Sequence, residues 1–277
     1  MSSLIEGASP SMRTRLRDGM AVGALWLTPL MVIIGAWATK IAWKQPDWML
    51  WLALAVILAT MWSLVWSAIT GIHWAALLTH WQDRRSGEPL LMLPYAQPGS
   101  NATHVALRLG QLKSWLSSDV WPYYGNALLL CTLAIIVAAG LSPLLGTTAV
   151  LLSLAALSLS QVAALACRGN GKPSAPLSGV VTVGMPALLG YTTFQEATPV
   201  AWVLSFSAVA IYVEIRRQPT GIGLGFAMPA LISAGLRWPL SAFALATIWA
   251  ARFALKPSSN SYGWLALAAF VLATTAG

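Results

Sequence analysis

The sequence predicts an all-α polytopic membrane protein: one transmembrane domain over 1–277, with eight or nine hydrophobic segments and a cytoplasmic N-terminus. Three observations predict it. Of 277 residues, 57% are hydrophobic and only 9% are charged, against about 25% charged in soluble domains. The apolar residues gather into long runs, and so much apolar surface needs lipid as its solvent. The few charges sit in short clusters between runs, as topology signals do. That placement argues against nucleic acid as the partner behind the net charge of +8.

Residues 1–20 are polar and basic, with Arg13, Arg15 and Arg17. Ser9-Pro10 can start a short helix. Met12, Leu16 and Met20 then share one side, which fits an interfacial helix over 10–20 on membrane lipid. A disordered basic tail that only sets topology is the alternative. The first apolar run starts about 20 residues in and exceeds the h-region of a signal peptide, roughly 7–15 residues. It is read as a retained span.

The apolar runs are 22–39, 49–78, 121–141, 146–167, 177–193, 199–215, 220–236, 238–254 and 262–276. The second is too long for one crossing, so its end, His73 to His80, is expected to project as a continuing helix. Runs after 177 are short enough to include broken or re-entrant helices. Pro186, Pro229 and Pro239 predict kinks or breaks there, and Gly221, Gly223 and Gly225 loosen the seventh run or help it pack. With alternating spans, Arg13, Arg15, Arg17, Arg84, Arg85, Arg108, Lys113, Arg168, Lys172, Arg216, Arg217, Arg252 and Lys256 lie inside, and Lys40, Lys44 and Arg237 outside. Thirteen against three is a strong positive-inside bias. Glu214 sits beside Arg216 and Arg217 at an inner end, and Glu196 in an outer loop, so neither reads as a mid-membrane proton relay. Cys131 and Cys167 have neither disulfide nor zinc spacing and read as packing residues.

The one long polar stretch, 79–119, breaks this pattern. Trp81 should anchor the second helix at the headgroups. Gln82 to Arg85 form a polar turn, and Ser86-Gly87 ends the helix. Glu88-Pro89 opens a short element carrying Leu90, Leu91, Met92 and Leu93, which Pro94 stops. From Asn101, capped by Asn101 or Ser100, an amphipathic helix places Val105, Leu109, Leu112 and Leu116 on one face. Arg108 and Lys113 flank that face, and the helix should end near Asp119 and Pro122.

The run D-R-R-S-G-E-P-L-L-M-L-P from Asp83, with L-R-L-G-Q-L-K from Leu107, resembles the permease subunit of type-two ATP-binding-cassette exporters. The resemblance covers about 10–140. It implies that Asp83, Arg84, Arg85, Gly87, Glu88, Leu90, Leu91, Leu93 and Pro94 form a coupling loop. Gly110 and Lys113 match the family's following helix. The implied partners are a nucleotide-binding ATPase subunit, which carries the ATP and magnesium, and a second permease copy or paralogue. The implied place is the bacterial cytoplasmic membrane. Glu88-Pro89 departs from the family's Thr-Leu-Glu, and eight or nine runs exceed its six spans. The chain carries no phosphate-binding loop of its own, so it is expected to be a transport subunit and not an enzyme, with no cofactor or metal.

Two other readings rest on particular residues. His73 and His80 lie seven apart on one helix face and would suit a haem or pigment subunit of an electron-transfer or photosynthetic complex. His80 falls at the polar end, however, and no second helix carries a partner histidine. An intramembrane prenyltransferase needs paired aspartates for magnesium and diphosphate. Asp18, Asp47, Asp83 and Asp119 do not pair at helical spacing.

Overall fold

The computed structural model describes residues 22–72, 81, 100–166, 174–217, 224–236, 238–254 and 261–275. The described residues are helical, without strands. In order they form α1 (Val22–Ala38), a 3-10 turn (Ala42–Lys44), α2 (Trp48–Gly71), α3 (Asn101–Trp115), a π turn (Leu116–Val120) and α4 (Trp121–Leu141). Then come α5 (Thr147–Ala166), α6 (Ala175–Gly179), a second π turn (Val180–Gly184), α7 (Met185–Thr192), α8 (Pro199–Arg217), α9 (Leu224–Gly235), α10 (Pro239–Ala254) and α11 (Ser261–Thr275). Among the described residues, every predicted apolar run is thus helical. Five helical stretches are long and apolar enough to cross a membrane: Trp48–Gly71, Asn101–Leu141, Thr147–Ala166, Ala175–Thr192 and Pro199–Arg216. This is the build of a helical membrane protein.

One stretch is the hub. In Ala175–Thr192, 72% of the spanning window is buried, against 28–39% in the other four. Its small residues explain why. A Cβ on Gly190 would collide with the Val32 carbonyl, and one on Gly35 with the Ala187 carbonyl. The backbones of α1 and α7 therefore meet at a reciprocal crossing that only glycine permits, the small-residue packing of membrane helices. Thr28 lies beside Thr182, and Ala36 clusters with Phe194, so α1 and the hub run parallel. Ser178 lies beside Tyr212 and Gly184 beside Ser205, so α8 runs antiparallel to both.

Two expected breaks are absent. Pro122 does not end α3, because the helix continues through the first π turn into α4, giving 41 residues from Asn101 to Leu141. Pro186 likewise leaves Ala175–Thr192 continuous, with no break or re-entrant loop within it. In both cases the residue before proline donates to a carbonyl five back, Trp121 to Leu116 and Met185 to Val180. A proline ring clashes with the carbonyl four back and cannot donate to it. The wider π turn relieves that clash without ending the helix. Pro229 lies inside α9 and Pro239 begins α10.

Candidate functional site

Two places in the fold concentrate polar contacts. The first flanks the polar stretch. Ser100 is the cap of α3: its Oγ accepts from the Thr103 N–H at 3.3 Å. Ala106, Gly110 and Gln111 are the buried face of α3. Gln111 donates from Nε2 to the Trp81 carbonyl at 3.4 Å, and Arg108 donates to Gln111 Oε1 at 3.4 Å. The rings of Trp81 and Trp115 meet edge to face at 5.5 Å. One turn deeper, Ile72 clusters with Val120 and Tyr124, with Trp115 and Leu128 packed against them. The contacts of the long helix toward α2 and Trp81 therefore step Gln111, Trp115, Val120, Tyr124, by four, five and four residues. The step of five is the π turn. One extra residue there keeps the contact line in register.

This arrangement joins the two stems between which residues 82–99 run. Asp83, Arg84, Arg85, Gly87, Glu88, Leu90, Leu91, Leu93 and Pro94 lie outside the described residues, as do His73 and His80. Of the family-matching positions that are described, Gly110 is buried and Lys113 exposed. The predicted apolar stripe faces away from the bundle: Val105 is 58% exposed, Leu109 44%, Leu112 39% and Leu116 40%.

The second place is the hub itself. Proline at 186 removes the donor that would serve the Thr182 carbonyl. Thr28 Oγ1 donates to that carbonyl instead, at 3.2 Å. With its proton used there, Thr28 accepts from Ser63 Oγ at 2.6 Å. Thr182 Oγ1 donates to the Ser178 carbonyl at 2.7 Å, and Ser178 Oγ meets the Tyr212 hydroxyl at 3.0 Å. Arg216 Nε donates to the same hydroxyl at 3.1 Å, and its guanidinium lies 5.6 Å from the ring centre. The Gly184 carbonyl accepts from Ser205 Oγ at 2.9 Å. These contacts tie α1, α2, the hub and α8 around one π turn.

Chemically the track offers hydroxyls and carbonyls, with a single charge at its Arg216 end. Such groups hold helices together and line polar passages; they supply no nucleophile–base pair. Among the described residues no group of three His, Cys, Asp or Glu could hold a metal. Glu196 is exposed in the loop between α7 and α8. Cys131 is buried beside Val65 and Ala134, as a packing residue would be; Cys167 lies outside the described residues.

Sequence reading missed Gln111 and the whole hydroxyl track. A signal existed for part of it: Ser178 and Thr182 are one turn apart, and Ser205 and Tyr212 two turns apart, inside otherwise apolar runs. No protein-family model, curated protein or solved structure matches the chain.

Proposed function

We propose that the chain is the membrane permease subunit of an ATP-binding-cassette transporter, export being the direction, driven by ATP hydrolysed on a separate subunit. It has eight or nine segments with the N-terminus inside, in a bacterial cytoplasmic membrane, beside a second permease copy or paralogue. The observation that carries this reading is the clamp of Trp81 by Gln111 and Trp115. A segment that receives a push from an ATPase needs stems that do not splay. Here Trp81, which precedes 82–99, is held to α3 at Gln111 and Trp115, and α3 runs on as a helix to Leu141. The sequence D-R-R-S-G-E-P-L-L-M-L-P supplies the family resemblance and an apolar knob for a protein cleft. The parallel run of α1 and the hub supports the alternating spans behind the charge split.

In this mechanism Leu90, Leu91 and Leu93 insert into a cleft of the ATPase, and Asp83, Arg84, Arg85 and Glu88 form the rim. Closure of the ATP-bound partner pushes the loop, and the clamped stems move together against the hub. Each buried leucine contributes roughly 1.5–3 kcal/mol. Leu90→Asp/Leu91→Asp should therefore weaken ATPase retention ~100-fold or more. Exposed rim charges should matter less, about 0–1 kcal/mol each. The test is co-purification of the ATPase with wild type, with this variant, and with an outer-loop control, Gln195→Asp/Ala197→Asp. Equal retention by the leucine variant and the control, with normal insertion of both, would remove the coupling role.

A further inference from the structure

Helical hydroxyls in this chain have a habit. Thr60, Thr70, Ser153, Ser160 and Thr247 each donate to the carbonyl four residues back, at 2.6–2.9 Å. In apolar surroundings this back-bond is the local way to satisfy the group. Ser207 and Ser233 do not follow the habit. They are 1% and 0% exposed, and among the described residues their Oγ atoms have no hydrogen-bond partner. Burying an unsatisfied hydroxyl costs about 1–3 kcal/mol, and native proteins seldom leave such groups without water or a ligand.

The two serines lie on neighbouring helices. Gly225 fixes how α9 sits on α8, since a Cβ there would come within 2.6 Å of Glu214 Oε2 and 2.7 Å of Glu214 Cβ. The same Cβ would collide with the Ala210 carbonyl. Ser207 is two helical turns before Glu214, so it shares the face that meets α9. Ser233 lies on the buried side of α9 with Pro229. Gly225, at the start of α9, stands level with about residue 212 near the end of α8; since α9 packs along α8, it must run back antiparallel to it. Eight residues along α9, Ser233 is level with about residue 204, roughly 5 Å in depth from Ser207 at 1.5 Å per residue. Pro229 adds an acceptor to this seam, because it cannot donate to the Gly225 carbonyl four residues back. Near the inner end Glu214 supplies a carboxylate.

We infer that the seam between α8 and α9 is a wet polar site inside the bundle, holding on Ser207 and Ser233 a small uncharged hydrogen-bonding occupant. That occupant is water or the hydroxyl or amide group of a solute, which offer the same donors and acceptors. An occupant between the two serines has their two hydroxyls as partners, within the range of two to four that buried water takes; the Gly225 carbonyl, about 12 Å further along α9 at 1.5 Å per residue, lies nearer Glu214. The inference does not rest on coupling to an ATPase: it would stand for any polytopic protein with this hairpin.

The test is thiol accessibility in a background where Cys131 and Cys167 are serine. Ser207→Cys and Ser233→Cys are compared with Ala208→Cys, which is 0% exposed in the apolar core. A small water-soluble methanethiosulfonate should label both seam positions at least tenfold faster than the control. Adding a bulky methanethiosulfonate separates the two sources. Labelling by the small reagent alone assigns water, and labelling by both assigns a path wide enough for a solute. Rates at both positions within twofold of Ala208→Cys would overturn the inference. Unmodified protein gives a second measurement should a variant fail to insert. Hydroxyl radicals generated from water should modify buried Pro229 and spare Met185, intrinsically more reactive and buried in the core. The reverse pattern would likewise overturn it.

Discussion

Pro122 and Pro186 both follow a five-residue π turn at the same spacing, yet one lies on an exposed helix and the other in the hub. The carbonyls they leave without a helical donor are those of Ser118 and Thr182. Ser118 is exposed, where water or headgroups can supply a proton. Thr182 is buried, and Thr28 of another helix supplies it. The local chemistry is the same in both places; the surroundings decide what it becomes. On the outside the turn keeps the stems of 82–99 in register. Inside, it turns a backbone defect into a contact between helices distant in sequence.

The hub side of this comparison should break hardest at its glycine crossing. Gly190→Ala places a methyl group against the Val32 carbonyl, and backbone cannot swing aside as a side-chain tip does. A loss of about 3 kcal/mol or more is expected, read from the unfolding midpoint in mixed micelles. An unchanged midpoint would mean that α1 and α7 do not approach this closely.

A smaller effect sharpens the comparison directly. Thr28→Val leaves the Thr182 carbonyl without its donor and should cost about 1–2 kcal/mol. In a Pro186→Ala background the helix regains its own donor for that carbonyl, so the same change should cost less, by about 0.5–1.5 kcal/mol, the remainder being the acceptor that Ser63 loses. The double-mutant cycle isolates that coupling. Thr28→Val combined with Pro122→Ala should instead add without coupling, since Pro122 lies at the exposed turn. Equal costs of Thr28→Val in all three backgrounds would show that Thr28 does not replace the missing donor.

Much of the fold was legible because hydrophobic runs in lipid report helices directly. The run 121–141 and the helix Trp121–Leu141 share their bounds, and the cap near Ser100 was readable from its hydroxyl. The status of 175–192 was not legible as a hub. Its run looks short and proline-broken, whereas the structure keeps it continuous by a π turn. Gly190 is important through the Val32 carbonyl, 158 residues away in sequence, and no local pattern announces such a partner. Gln111 is similar: in a polar helix it reads as a surface residue, until Trp81 covers it. The loop residues Asp83 to Pro94 carry the family resemblance, while the structure describes only Trp81 before them and the chain from Ser100 after them.

The smallest expected perturbation bears on the account's central claim, that the two stems move as one unit. An aromatic pair such as Trp81 and Trp115 contributes about 0.5–1.5 kcal/mol, so replacing both should leave the fold intact. Trp81→Cys/Trp115→Cys, with Cys131 and Cys167 replaced by serine, is treated in membranes with a short bifunctional thiol reagent. Near-complete cross-linking within one chain is expected, with retention of the proposed ATPase partner by the cross-linked protein equal to that of the untreated one. Failure to cross-link while each single cysteine reacts freely would contradict it. So would a cross-linked protein that releases the ATPase, because stems that must part to hold the partner are not a clamp.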